Sequence, residues 1–255
     1  MSPRFTIVTC TRNSVSTLPE TIRSVQEQDF SDFEHLFVDG KSTDGTLEYL
    51  RSLTGRVRII EGVTGGISRA MNIGIREAAG QVVAHLHSDD YYAARHVLGR
   101  VSMALDESRA RWIFGRCLTD IGGQRIPEGY RVPRYSYPRL LKGNFIPHPA
   151  TFVEKSLFEE CGAFEESIKY AMDYDLWLRL ARIAAPLQLD EYLAVFRVHA
   201  GSLSSSNRFA AFEDDWSVRK RYIPGTPWAL AYHWAHYLVR RRRAKARALG
   251  EGMNA

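Results

Sequence analysis

From Phe5 to Leu86 short apolar runs alternate with helix-like segments at the spacing of successive strand–helix units. A chain patterned this way is confined to a mostly parallel sheet with helices on both faces, that is, to the α/β class. Phe5 to Thr9 reads as a strand, and Thr17-Leu18-Pro19-Glu20 as a capping box opening a helix that carries Ile22 and Val25. Glu34 to Asp39 predicts a second strand, Thr46 to Leu53 a helix, Val57 to Ile60 a third strand, and Ile67 to Ala78 a helix closed by Gly80. The run Val82-Val83-Ala84-His85-Leu86 then reads as a buried strand. Beyond Tyr92 the pattern loosens. Helices are expected over Val97 to Leu105, Leu157 to Cys161 and Asp173 to Ala184, strands over Trp112 to Phe114, Thr151 to Val153 and Leu187 to Val198, and a long loop over Gly122 to Pro138.

Composition bears on partners and compartment. Hydrophobic residues make up 45% and charged residues 25% of the 255, the balance of an ordinary soluble protein. Met1-Ser2-Pro3-Arg4 leads straight into the first strand, so no signal sequence is expected, and no run is apolar and long enough to span a bilayer. Cys10, Cys117 and Cys161 have no metal-site spacing and fit free thiols of a cytoplasmic protein. The net charge of +5 belongs to the end of the chain, where Arg240, Arg241, Arg242, Arg243, Lys245 and Arg247 follow the aromatics Trp228, Tyr232, Trp234 and Tyr237. The rest is near neutral, which argues against nucleic acid as a partner. Aromatics before a polybasic run suggest a helix at 228–247 lying on an anionic membrane surface, at the inner face of the cell membrane; a C-terminal helix packed on the domain is the other reading.

The chemistry-bearing residues cluster after strands. Asp89 and Asp90 follow the buried strand in His87-Ser88-Asp89-Asp90-Tyr91, where an open α/β sheet binds its ligands. Paired acids there suit a hard cation bridging to phosphates, and equally suit the cap of a following helix. Thr9, Thr11 and Arg12 follow the first strand. Asp39 ends the second, where a carboxylate can accept from a base N–H or a ribose hydroxyl, or simply hold the turn before Gly40. Asp44 reads better as a helix cap. Arg69 sits early in the helix opened by Gly65-Gly66, in reach of a phosphate or exposed to solvent. Asp173 stands at the start of a helix anchored by Leu176, Trp177 and Leu180, as a base for an attacking hydroxyl or as an N-cap; for Asp175 the helix-dipole role is preferred.

In this order, Val8-Thr9-Cys10-Thr11-Arg12-Asn13, Val38-Asp39-Gly40-Lys41-Ser42-Thr43-Asp44-Gly45-Thr46, Ser88-Asp89-Asp90 and Met172-Asp173-Tyr174-Asp175-Leu176 resemble the family-2 glycosyltransferases of the GT-A fold, particularly small non-processive bacterial enzymes of surface-polysaccharide assembly. The resemblance runs from Phe5 to about Ser205. A GT-A domain is expected over 1–223, with a nucleotide-binding half at 1–90 and an acceptor half at 91–223, and Pro224-Gly225-Thr226-Pro227 marks the boundary before an aromatic and basic helical tail at 224–255. The resemblance implies inverting transfer of a sugar from a nucleotide-diphosphate sugar, a UDP-sugar favoured, to a hydroxyl of a saccharide or lipid-linked acceptor, with Mg2+ or Mn2+. Asp39 then contacts the base, Asp89 the ribose, and Asp90 the metal, joined by His199 in some relatives. Thr9, Thr11, Arg12 and Arg69 line the donor site, Asp173 is the catalytic base, and His148 is placed at the acceptor. Met172 replaces the acid that usually precedes the base, and Arg12 stands where many relatives carry Tyr. A catalytically impaired nucleotide-sugar-binding protein at the membrane is the rival reading. Nucleotidyl transfer is another, but it calls for a glycine-rich loop after the first strand, and Thr9 to Asn13 has no glycine.

Overall fold

The computed structural model describes residues 2–128, 132–198 and 208–251. Strands β1 (Phe5–Thr11), β2 (Phe33–Asp39), β3 (Val57–Ile60) and β4 (Val82–His85) are parallel and lie in the order β3-β2-β1-β4. Helices α1 (Leu18–Gln26), α2 (Thr46–Arg51) and α3 (Ile67–Glu77) connect them. Every residue of β1 is buried, as a central strand covered on both faces must be. Its side chains divide by alternation. Val8 and Cys10 join Met71 and Ile75 of α3 on one face, while Phe5 and Ile7 join Val25 of α1 on the other. Gly74 brings α3 onto β1, since a Cβ there would sit 2.4 Å from Val8 Cγ1.

The second half closes the sheet with mixed pairing. It contains β5 (Tyr91–Tyr92), α4 (Val97–Ser108), β6 (Trp112–Ile121), β7 (Gln124–Ile126), α5 (Tyr137–Leu140), β8 (Thr151–Glu154), α6 (Lys155–Cys161), α7 (Met172–Ile183) and β9 (Leu187–Val198). β8 pairs antiparallel with β4 and β6, β9 runs parallel to β6, and β5 pairs antiparallel with β9, giving a nine-stranded sheet with β7 attached to β6. Two expectations need correction. The Thr17 hydroxyl makes no cap to α1; it donates to the Ser14 carbonyl at 3.3 Å, and the Pro19 ring already occupies the first turn. The stretch expected as a loop from Gly122 contains a hairpin, because Gly122 and Gly123 adopt φ of 61° and 89° and turn β6 back into β7, and the helix α5 follows within it.

The chain ends in α8 (Arg208–Arg219) and α9 (Pro227–Glu251). Tyr237 of α9 stacks on Trp216 of α8 with ring centroids 4.5 Å apart, and its hydroxyl donates to Glu213 at 2.6 Å. The first turns of α9 leave Trp228, Tyr232 and Trp234 more than half exposed, Trp228 at 86%. Among the described residues no helix is long and apolar enough to cross a membrane.

Candidate active site

The ends of β1 and β2 are matched, with Thr11 opposite Asp39. The Thr11 hydroxyl donates to Asp39 Oδ1 at 2.9 Å, and Ser42 donates to the same carboxylate through its hydroxyl (2.6 Å) and its backbone N–H (2.9 Å). Asp39 is therefore a buried, hydrogen-bonded acceptor that also holds the turn through Lys41, itself in the left-handed region at φ 61°. Asn13 braces the turn from the other side, accepting from Thr43 N–H at 2.8 Å. Asp44 stands one residue before the N-cap of α2, which is Gly45, and accepts from the Thr46 hydroxyl (2.6 Å) and N–H (3.0 Å) at the start of that helix; the hydroxyl contact in particular lowers its carboxyl below the usual range. Thr9 is a correction. It is fully buried, donates to the Leu86 carbonyl at 2.7 Å and meets His35 Nε2 at 2.9 Å, so it ties β1 to its neighbours beneath the crevice and has no free hydroxyl for a donor. Arg12 and Arg69 are exposed.

Asp89 and Asp90 follow β4 in a turn closed by Asp90 N–H donating to the His87 carbonyl at 3.1 Å. Strand β5 follows at once and α4 begins only at Val97, so neither aspartate caps a helix. Asp90 is 2% exposed. The Thr21 hydroxyl of α1 donates to its carbonyl at 2.7 Å and the Arg197 N–H of β9 to its Oδ1 at 3.2 Å. The Arg197 guanidinium pairs with Glu20 and lies over the Tyr91 ring. Burial, and then the charge of Asp89, push the Asp90 carboxyl well above its ordinary value. A buried acid with a second acid beside it is the donor set a divalent cation relieves, and the two residues fit such an ion with the rest of its shell left to phosphate oxygens and water. Among the described residues no three His, Cys, Asp or Glu side chains form a complete metal cage, and His199 lies outside them.

Asp173 is the second residue of α7, and the N-cap position belongs to Ala171. Its Oδ1 accepts from Tyr174 N–H at 2.7 Å and its Oδ2 from the Asn144 side-chain amide at 3.0 Å. Burial pushes the carboxyl up to about 6, against these hydrogen bonds, which favour the charged form. The entry to α7 is fixed from α8, where Asp214 accepts from the N–H groups of Tyr170 (2.9 Å) and Ala171 (3.1 Å). Asp215 beside it is pushed up to about 7 by burial and by the charge of Asp173. Asp175 is structural: buried, it takes Arg179 at 2.8 Å and the Tyr222 hydroxyl at 2.7 Å.

His148 packs between the turn after β4 and helix α7. Its ring centroid lies 5.1 Å from that of His87 and 5.7 Å from that of Trp177 on α7. Burial, and then the charges of His87 and His85, hold it well below its ordinary value, so it is a neutral ring within an aromatic cluster. Asn144, Asp214, Asp215 and the Arg197 backbone are neighbours of these acids and of the entry to α7 that sequence reasoning missed. Asn144 had no periodicity to mark it, and the adjacent acids Asp214-Asp215 were the one available signal.

A parallel half-sheet whose second strand ends at Asp39 and whose fourth runs into the Asp89-Asp90 turn, completed by a half of mixed pairing, is the GT-A fold. The chain belongs to glycosyl transferase family 2, whose family model matches residues 6–155. It is 26% identical over 227 residues to an uncharacterised glycosyltransferase of Rickettsia prowazekii (strain Madrid E), covering 85% of this chain and 71% of the relative. It superposes with a TM-score of 0.67 on S. aureus TarS 1-349 in complex with UDP-GlcNAc, at 24% identity, over 83% of this chain and 64% of that one. The mannosyltransferase PcManGT from Pyrobaculum calidifontis, in complex with GDP-Man and Mn2+, matches with a TM-score of 0.64 and 19% identity over 99% of this chain and 81% of its own.

Proposed function

We propose that the protein transfers a sugar, with inversion, from a UDP-sugar to a hydroxyl of a saccharide or lipid-linked acceptor in polysaccharide assembly. The observation that carries this reading is the Asp173 carboxyl, half-buried, oriented by Asn144 and pushed up to about 6. An ordinary aspartate near 3.9 is a poor base at neutral pH, whereas one near 6 is still ionised there and takes a proton far more readily. In this reading Asp173 accepts the acceptor proton as its oxygen attacks the anomeric carbon opposite the departing nucleotide. Asp39 with Thr11 accepts from the base, Asp89 binds the ribose, and Arg12 and Arg69 close the rim around the diphosphate. Asp90, with His199 beyond the described residues, would hold Mg2+ or Mn2+, which when bound would supply positive charge against the negative charge that gathers on the departing diphosphate. Residues 228–247 rest on an anionic membrane surface at the cytoplasmic face, a reading supported by the exposed Trp228, Tyr232 and Trp234. A thermal-shift screen with UDP-, GDP- and dTDP-sugars, with and without Mn2+, tests the donor assignment: a UDP-sugar is expected to raise the midpoint, more so with metal. No shift with any of the donors would overturn it.

A further inference from the structure

The two C-terminal helices bring a set of cationic groups to the loop after α5 that sugar transfer as described above does not use. Arg219 of α8 and Arg240 of α9 both donate through Nη1 to the Lys142 carbonyl, Arg240 at 2.7 Å. Gly143 admits the second of them, since a Cβ there would lie 2.1 Å from Arg240 Nη1. Lys142 Nζ lies 5.2 Å from the centre of the Tyr232 ring on α9. His233 and His236 complete the group; burial, followed by the charges of Arg219 and its cationic neighbours, holds both rings below their ordinary values.

The imidazoles of this group lack partners and its buried cation lacks a counter-charge among the described residues. Arg219 is 2% exposed and stacked on Trp216, and among the described residues its guanidinium makes no ion pair. The acids nearby do not balance it. Glu213 is engaged by Arg241 and Tyr237, and Asp215 is pushed up to about 7, so that much of it is protonated at neutral pH. His233 is 8% exposed and its Nδ1 has no hydrogen-bond partner, nor has Nδ1 of His236. Buried imidazole nitrogens without partners, beside a buried guanidinium that donates to a carbonyl but meets no carboxylate among the described residues, are costly to the free protein, and a multivalent anion with several acceptor oxygens would satisfy them together.

We propose that Lys142, Arg219, His233, His236 and Arg240 bind a phosphate group carried on a lipid acceptor. This rests on the reading of Asp173 as the base. Lys142 is two residues from Asn144, which holds Asp173, so the phosphate lies on the acceptor side and not beside Asp90. The lipid is argued from α9 itself. One side of the helix turns His233 and Tyr237 into the protein, while Trp228, Tyr232, Ala235 and Val239, at i, i+4, i+7 and i+11, are exposed along the other. No acidic residue occurs between Pro227 and Gly250, so the arginines that continue this helix attract an anionic interface and repel a second copy of it.

Calorimetric titration of the full chain with monomeric dodecyl phosphate, inorganic phosphate and dodecyl maltoside tests the proposal. Dodecyl phosphate is expected to bind at least about tenfold more tightly than either other probe. The double substitution Lys142→Gln/Arg240→Gln, and separately His233→Asn, should weaken it by about tenfold or more while UDP affinity, which reports an intact fold, is unchanged. Equal binding of dodecyl maltoside, or undiminished binding by the variants, would overturn the site. Inorganic phosphate binding as tightly as dodecyl phosphate would overturn the lipid source. Dodecyl phosphate binding to a protein that binds no UDP-sugar would support the site while the donor reading fails.

Discussion

The side-chain amide of Asn144 donates to Asp173 Oδ2 at 3.0 Å, so the carboxyl of α7 is oriented by a loop that lies 29 residues earlier in the chain. Burial raises the proton affinity of this acid, and the Asn144 bond pulls it back. The transfer rate is therefore expected to fall as pH drops through about 6, because Asp173 must be ionised to accept a proton. Asn144→Ala removes a donor to the charged form and should move that acid limb upward by about one pH unit. A pH–kcat profile of wild type and variant checks both statements; an unmoved limb would remove Asn144 from the account.

Asp214 holds the entry to α7, the helix that carries Asp173. Asp214→Ala deletes the acceptor of the Tyr170 and Ala171 N–H groups and should cost about 1 kcal/mol, by analogy with a lost helix cap. That is a drop of roughly 2–4 °C in Tm for a chain of this size. Because the donor residues lie on other elements, kcat should fall while UDP affinity holds. Thermal denaturation and UDP titration of the variant measure the two effects.

Much of this site was legible from residue order, and the reasons are local. Runs such as Leu36-Phe37-Val38 and Val82-Val83-Ala84 are buried on both faces, so their strand character and the acids that end them could be read directly. The burial spacing Met71, Gly74, Ile75 likewise marked α3. Helix α8 was missed because Asp214, Asp215 and Arg219 face the interior, which removes the apolar stripe a helix usually shows. The Thr17 box failed because a nearer carbonyl, that of Ser14, takes its hydroxyl. Thr9 was misassigned to the crevice since nothing in its neighbours signals the His35 and Leu86 contacts that the pairing of β1 with β2 and β4 creates.

Stability should depend on pH with two opposing contributions. His35 is buried and lowered to about 3 by desolvation, against about 6.5 in an unfolded chain. Its contribution is present above about 6.5 and is lost as pH falls, by about 2 kcal/mol between pH 7 and 5. Asp215, raised to about 7, acts in the other sense: its contribution is present below about 3.9 and is lost as pH rises through 7. Urea unfolding should find His35→Asn less steep on the acid side. Asp215→Asn should be stabilised relative to wild type as pH rises from 5 to 8, by on the order of 1 kcal/mol once partial solvent contact is allowed for.

The buried Asp90 carboxyl gives a metal test that does not depend on knowing the acceptor. Mn2+ should raise the thermal midpoint of the wild type and leave that of Asp90→Asn unmoved, since a pair of like charges is relieved in the first and already removed in the second. In metal-free buffer Asp90→Asn should be the more stable of the two. Chelation should stop transfer by the wild type, and added Mn2+ or Mg2+ should restore it.

The most direct measurement of the central claim follows labelled sugar from a UDP-sugar into a membrane-lipid extract, in wild type and in Asp173→Asn, with the anomeric configuration of the product read by NMR. The account predicts transfer with inversion by the wild type, and a loss of about 10²–10⁴-fold or more in the variant with UDP affinity retained. Transfer by Asp173→Asn at the wild-type rate, or a product that keeps the donor configuration, would contradict it.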